Sequence, residues 1–330
     1  MTEQRHSVTN SARRGPSRAG VRAALVKLDR ILPPTPLLSL DIDGRTIWCK
    51  AECLQPIGAF KIRGAWHRLT ELDDRQRAAG VVAFSSGNHA QGVAWAARRL
   101  GIRAAIVMPS DAPQAKLEAT RSLGAEIILY DRDRESREEI AAALAGERGA
   151  TLVPSFADPW IIEGQGSAAL ELERQMRART GEGPAQLVVP CGGGGLSAGC
   201  ALALPGLPLT IVEPEGWDDM ARSLSLGRIV PVRDDAPFTS CDALQTKLVS
   251  PLTFDVLLAA RVQSVTVTER EVGAAMRLAF ERLHVVVEPG GAVALAAMLA
   301  GKVDHQPGTA ILLSGGNVDI DRFTSMVGNG

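Results

Sequence analysis

This sequence has no excess of either charge. Its 36 Lys and Arg face 37 Asp and Glu, for a net charge of −1, which leaves no electrostatic footprint for nucleic acid or an anionic membrane. It has no apolar run of the ~20 residues that a membrane helix needs. It has no CxxC pair: Cys49, Cys53, Cys191, Cys200 and Cys241 are odd in number and scattered. Cys49 and Cys53 lack the second pair that would complete four metal ligands. The five read as buried thiols in a reducing, cytoplasmic compartment. No repeat at a solenoid period, no low-complexity tract and no P-loop Gly-Lys-Ser/Thr occurs. Residues 1–20 carry Arg5, Arg13, Arg14 and Arg18 without the apolar segment of a secretory signal, and they read as a disordered tail.

What is present is apolar patterning. Hydrophobic residues make up 45% of 330 residues, which suits two domains or one large domain with an insert. From Thr46 onward, strands are expected at 46–51, 80–84, 103–108, 125–130, 151–154, 186–190, 208–213, 262–267 and 309–314. Helical patterns fall between most of them, as at 91–100, 113–123, 135–145 and 162–179. The alternation predicts an α/β fold with open parallel sheets covered on both faces. Sites in such sheets lie at the carboxyl ends of the strands. The rhythm over 80–158 is compact enough for a small domain, inserted in a larger one made of 21–79 and 159–330.

Five polar loops interrupt this pattern. Gly192-Gly193-Gly194-Gly195 follows the apolar run Leu187-Val188-Val189-Pro190 and precedes a helix start. Without side chains, consecutive backbone N–H groups converge on one oxyanion at a helix N-terminus. The run also fits a dinucleotide fingerprint, G-x-G-x-x-A through Ala198, with Glu213 where a ribose-binding acid belongs. Ser85-Ser86-Gly87-Asn88-His89 follows a strand and opens a helix, which makes a carboxylate cradle or an ordinary helix cap. Lys61 lies on the first turn of a helix, where a cation opposes the macrodipole. That is an odd structural choice and a sensible reactive amine, with Phe60 beside it for a flat ring. Ser314 puts a hydroxyl at a fourth strand-to-glycine turn. Glu213-Pro214-Glu215-Gly216-Trp217-Asp218-Asp219 is either a hard-cation loop or a solvated acidic one.

One ligand accounts for four of these loops together. Pyridoxal 5′-phosphate requires a lysine, a phosphate cup, a partner for its ring nitrogen and a cradle for the carboxylate of an amino acid. Lys61, the four glycines, Ser314 and the 85–89 loop supply one each. A dinucleotide, and with it an NAD-dependent dehydrogenase, leaves Lys61 and Ser314 idle.

The chain resembles the fold type II pyridoxal-phosphate enzymes, in particular the serine/threonine dehydratase and serine racemase group. The motifs are Phe60-Lys61-Ile62-Arg63-Gly64-Ala65, Ser85-Ser86-Gly87-Asn88-His89, Gly164-Gln165-Gly166, the tetraglycine run and Ser314-Gly315-Gly316-Asn317. The likeness runs from Thr35 to Asp319. It implies a tryptophan synthase beta-like fold of two open α/β domains and a homodimer acting on a small amino acid. By this resemblance Lys61 carries the cofactor and serves as base, and Phe60 packs on the ring. Asn88 meets the ring hydroxyl, Ser314 the ring nitrogen, and Gly192 to Gly195 with the Leu196 amide the phosphate. Ser85, Ser86, Gly87, Asn88 and His89 bind the substrate carboxylate, and Ser86 stands where racemase-like members place an opposite-face base. Arg137 corresponds to an arginine that contacts dicarboxylate ligands. Glu213, the Trp217 carbonyl and Asp219 resemble a Mg²⁺ or Ca²⁺ site.

The implied reaction is dehydration of threonine or serine to a 2-oxo acid and ammonia, with serine racemisation or 3-hydroxyaspartate dehydration as alternatives. The short stretch after Asn317 implies no isoleucine-feedback module. Two residues depart from the group's pattern. Ala59 stands where a serine is common, and Ala243 follows Asp242 where a glycine is common.

Overall fold

The computed structural model describes residues 14–85, 87–112 and 114–328. Its strands are β1 (Leu37–Ile42), β2 (Arg45–Ala51), β3 (Val81–Phe84), β4 (Ala104–Pro109), β5 (Glu126–Tyr130), β6 (Thr151–Leu152), β7 (Gln186–Pro190), β8 (Leu209–Pro214), β9 (Gln263–Val267) and β10 (Thr309–Leu313). They form two sheets, one ordered β1-β2-β10-β7-β8-β9 and one ordered β5-β4-β3-β6. Each expected strand overlaps an observed one. All pairings are parallel except β1 with β2. Strands β7, β8 and β10 are buried at every residue, as a sheet covered on both faces requires.

Two expectations are corrected. The sequence reading began its strands at 46 and missed β1. Asp43 and Gly44 have φ of 51° and 75°, the left-handed pair of a two-residue hairpin turn. That turn folds Leu37 back opposite Lys50 as an antiparallel edge. The tail assigned to residues 1–20 is also too long. Ser17 caps a helix by accepting from the Gly20 N–H at 3.0 Å. Arg14 donates to both oxygens of the buried Glu163 at 2.8 and 2.9 Å and lies over the Trp160 ring. Residues 1–13 lie outside the described residues.

Helices α1 (Arg18–Leu28), α2 (Lys61–Thr70), α3 (Asp74–Ala79), α4 (Asn88–Leu100), α5 (Gln114–Ser122), α6 (Arg137–Arg148), α7 (Pro159–Thr180), α8 (Gly195–Ala203), α9 (Asp219–Leu226), α10 (Pro251–Ala260), α11 (Glu269–Leu278), α12 (Pro289–Leu299) and α13 (Ile320–Gly328) cover the sheets. Among the described residues, none is long and apolar enough to cross a membrane. Ile62, Trp66 and Leu69 of α2 share a core with Val81, Val93 and Ile106, so apolar packing continues across the expected boundary at residue 80. All five cysteines are buried and free.

Helix α7 is the spine between the sheets. Asp158 caps it, accepting from the Trp160 and Ile161 N–H groups, and Pro159 opens it. A Cβ on Gly164 would fall 2.5 Å from the Gly64 Cα on α2. One on Gly166 would fall 2.3 Å from the Gly199 carbonyl on α8. Contacts that short exist only without side chains. They explain why the sequence keeps Gly164-Gln165-Gly166.

A buried ionic network ties α2 and α7 to β2. Arg63 donates to both oxygens of Glu52 at 2.7 Å and lies 3.1 Å from Glu171. Lys50 donates to Glu171 at 2.5 Å, and the Thr35 hydroxyl donates to Glu52 at 2.7 Å. Burial by itself would raise the Glu52 carboxyl, but the Arg63 charge and hydrogen bonds overcome it and bring Glu52 from 4.5 down to about 2. A carboxylate held low contributes stability above its unfolded pKa and loses it as pH falls toward the folded one. Glu52→Ala is therefore expected to cost about 3–5 kcal/mol at neutral pH, because it strands a buried guanidinium. The difference from wild type should shrink between about pH 4.5 and pH 2; urea denaturation of both proteins across that range measures it.

Candidate active site

The order of strands decides which loops meet. Strands β2, β10 and β7 are neighbours, so the segments leading to Lys61, Ser314 and Gly192 leave the large sheet side by side. Strands β3 and β6 are neighbours in the small sheet, which brings Ser85 near Ser155. One cavity of about 390 Å³ collects Phe60, Lys61, Ser85, Gly87, Asn88, His89, Arg137, the four glycines, Leu196 and Ser314. Ser86 falls outside the described residues.

The tetraglycine run is a tight cup. Gly194 sits at φ 82° as the N-cap of α8, a left-handed conformation that suits glycine. A Cβ on Gly193 would strike the Phe156 ring at 2.4 Å, so that ring walls the cup. Ser197, on the first turn of α8, is fully buried and its hydroxyl has no hydrogen-bond partner among the described residues. A helix N-terminus with an idle buried hydroxyl fits a phosphate group.

Lys61 is the first residue of α2. Its Nζ donates to the Ser155 carbonyl at 3.1 Å and lies 5.2 Å from the Phe60 ring centre. The Phe60 N–H donates to the Ser314 carbonyl at 3.1 Å, and Ala59 bridges to Gly315, so β10's exit holds the lysine in place. Burial brings Lys61 from 10.5 down to about 8, against the pull of the Glu288 charge. His89 is brought down to about 3 by burial and by Lys61. Its Nε2 lies 2.8 Å from the Val153 carbonyl. At neutral pH its ring is uncharged and offers a substrate carboxylate no ion pair. The Ser85 hydroxyl accepts from the Gly87 N–H at 3.2 Å.

The sequence reading does not reach Glu288 or Lys116, which also line the cavity. Glu288 is buried and accepts from Asn88 Nδ2 at 2.7 Å. It precedes α12 as an acid before a proline, a helix start like many others. Lys116 and Asp242 form an ion pair at 3.0 Å on the cavity wall; nothing local in sequence marks Lys116. Arg137 lines the cavity, and its Nε also donates to Glu138 at 2.9 Å. Ala243, the departure noted above, lines the same wall.

The acidic loop lies behind the cup and not on the cavity. Glu213 is buried and accepts from the Met220 and Ala221 N–H groups at 3.1 and 2.9 Å. Asp219 is buried, and neither of its oxygens has a hydrogen-bond partner among the described residues. Burial pushes Asp219 up to about 7, and burial likewise pushes Glu213 well above its ordinary range, with the Asp219 charge adding to it. The Trp217 ring N–H donates to the Pro237 carbonyl at 2.7 Å. Among the described residues, no group of three or more His, Cys, Asp or Glu is placed to hold a metal. Glu213 and Asp219 stand as a pair.

The family model described as "Pyridoxal-phosphate dependent enzyme" matches residues 28–315. The chain is 43% identical over 290 residues to the L-threo-3-hydroxyaspartate ammonia-lyase of a Pseudomonas species, covering 86% of this chain and 88% of that one. It is 37% identical over 318 residues to the serine racemase of Schizosaccharomyces pombe, covering 93% and 96%. The structure of maize serine racemase superposes with a TM-score of 0.87 at 36% identity, covering 94% of this chain and 97% of that one.

The half-buried Lys61 sets a test of the cavity itself. Modification of Lys61 by an amine-reactive probe is expected to be half-maximal near pH 8, the value to which burial lowers it, while exposed lysines require about two units more. Peptide mapping of apo-protein labelled across pH 6–11 reads this. Labelling of Lys61 that tracks the exposed lysines would refute the burial.

Proposed function

The chain belongs to the pyridoxal-phosphate dependent enzymes, and we propose that it is an ammonia-lyase whose preferred substrate is a 3-hydroxyaspartate. The observation that carries this reading is the group of cations, Arg137, Lys116 and Lys247, on the wall of the cavity that holds Lys61. Threonine and serine have no second carboxylate to meet them. The likeness to a hydroxyaspartate ammonia-lyase supports the same choice.

In this reading the cofactor phosphate is held by the N–H groups of Gly192 to Gly195 and Leu196 and by the idle Ser197 hydroxyl. Asn88, Ser314 and Phe60, which line the same cavity, would hold its ring. The bound cofactor supplies an electron sink at the substrate's α-carbon. The chain's own residues supply the rest. A lysine near pKa 8 is partly neutral at physiological pH, so Nζ of Lys61 takes the α-proton. The Ser155 carbonyl holds that nitrogen by a hydrogen bond. The 85–89 loop and the start of α4 receive the α-carboxylate. Arg137 and Lys116 receive the distal carboxylate, which competes with Glu138 and Asp242 for them. Loss of the β-hydroxyl as water, then hydrolysis, leaves a 2-oxo acid and ammonia.

Glu213, Asp219 and the Trp217 carbonyl are proposed to hold Mg²⁺ or Ca²⁺. Two idle buried carboxylate oxygens on Asp219 suit a hard cation. The ion would brace α9 behind the cup and touch no substrate.

Two measurements test these assignments. Keto-acid release from 3-hydroxyaspartate should exceed release from serine and threonine. Arg137→Ala should lower kcat/KM for 3-hydroxyaspartate at least about tenfold, the loss of one charge-assisted hydrogen bond, and leave serine turnover within about threefold. A higher kcat/KM on threonine or serine overturns the substrate assignment. For the metal, Mg²⁺ or Ca²⁺ should raise the melting temperature of wild type by about 2 °C or more and leave Asp219→Ala unchanged. An equal shift in both proteins removes the ion from this loop.

A further inference from the structure

Asn88, Asn317 and Glu288 form a line of hydrogen bonds with one permitted direction. Asn317 Nδ2 donates to the Ile57 carbonyl at 2.8 Å and to Asn88 Oδ1 at 2.7 Å. A carbonyl can only accept, so the Asn317 amide has a fixed orientation. Asn88 Oδ1 is thereby an acceptor, and its Nδ2 faces Glu288 Oε1 at 2.7 Å. Ionised Glu288 is again acceptor-only. Both ends of the line hold the Asn88 amide the same way round, and one N–H of Nδ2 is left uncommitted.

Two glycines make room for this line. A Cβ on Gly58 would lie 2.4 Å from Asn317 Oδ1, and one on Gly315 would lie 2.2 Å from Glu288 Oε1. The backbone closes around it: the Gly316 N–H donates to the Gly58 carbonyl at 2.8 Å and the Glu288 N–H to the Gly315 carbonyl at 3.0 Å. Glu288 thus lies where the segment after β2, the segment after β10 and the starts of α4 and α12 meet.

We propose that Glu288 is a positioning residue for the cofactor, acting through Asn88 to aim the one free amide N–H at the cofactor ring. The inference rests on the cofactor occupying the cavity beside Lys61. Glu288 also supplies negative charge there. The ionisable groups around it are Lys61 on α2, Lys116 on α5, Asp242 on the 242–244 turn, and the thiols of Cys53 and Cys241. Burial pushes both thiols up, Cys53 to about 12, so they stay neutral. Lys116 and Asp242 are paired. The Glu288 charge also acts on Lys61, and removing it disfavours a proton on the Lys61 nitrogen. Burial brings Glu288 itself up to about 7, with the Asp242 charge pushing the same way and the Asn88 hydrogen bond opposing.

Titration of apo-protein with pyridoxal phosphate, followed by visible absorbance at each pH, tests this. Glu288→Ala removes acceptor and charge, and should weaken cofactor binding about tenfold or more. Glu288→Gln keeps an acceptor, so it should bind within about threefold of wild type, with the pH midpoint of the visible band lower by about one unit. Gly315→Ala drives a methyl against Glu288 and should reproduce the binding loss of Glu288→Ala. Lys61→Ala should abolish the pH-dependent band; a band that survives it overturns the cofactor site itself. If that band is lost in Lys61→Ala while Glu288→Ala binds as wild type, the inference about Glu288 alone is overturned. Should Glu288→Ala fail to fold by circular dichroism, Glu288→Gln decides, and an unmoved midpoint overturns the proposal.

Discussion

The close crossing of α7 over α2 and α8 is the constraint on which the site depends. Gly164 against Gly64 and Gly166 against Gly199 bring three helix backbones together without intervening side chains. Lys61 begins α2 and the glycine cup leads into α8. The distance between the Lys61 amine and the glycine cup is therefore set by backbone contact, which has few ways to relax. Positioning errors of about 1 Å are costly in catalysis. A rigid spine answers that requirement better than packed rotamers would. The Lys50, Glu52, Arg63 and Glu171 network lies at the same crossing and resists sliding of α2 along α7.

Buried charge is used in two opposite ways. Below the site, acids and bases are matched, and Glu52 is held ionised because Arg63 overcomes its burial. In and behind the cavity the matching is incomplete. Lys61 falls toward neutrality, while Glu288 and Asp219 rise toward it. Uncompensated burial is destabilising, so its occurrence in the cavity and in the loop behind it points to groups that ligands complete.

Much of this was legible from sequence because it is local. Long apolar strands followed by glycine, hydroxyl or lysine turns announce βα loops, and each was found at a strand's carboxyl end. What escaped was either edge structure or tertiary juxtaposition. Strand β1 has only two fully buried residues, Leu37 and Leu40, so its period is weak and its Asp-Gly turn was the better signal. Helix α1 begins inside what composition marked as tail, because Arg14 and Ser17 find Glu163 some 146 residues away. Glu288 and Lys116 carry no motif at all. Their meaning comes from Asn88 and Asp242, to which only the folded chain introduces them.

The division of labour between the sheets follows from the same topology. Lys61, the glycine cup and Ser314 leave the large sheet, while the 85–89 loop, Lys116 and Arg137 belong to the small one. The two sheets thus contribute different groups to one cavity, across a shared apolar core. The Lys116 to Asp242 ion pair spans that division. A substrate with a second carboxylate offers Lys116 and Arg137 another partner inside the cavity. Such a substrate does more than fill space: it exchanges a contact within the protein for one to itself. A neutral side chain has nothing to exchange, and the two cations stay with Asp242 and Glu138. On the proposed reading, discrimination rests on charge exchange at the cavity wall, which can change through a few residues of the small sheet while the lysine and the cup remain as they are.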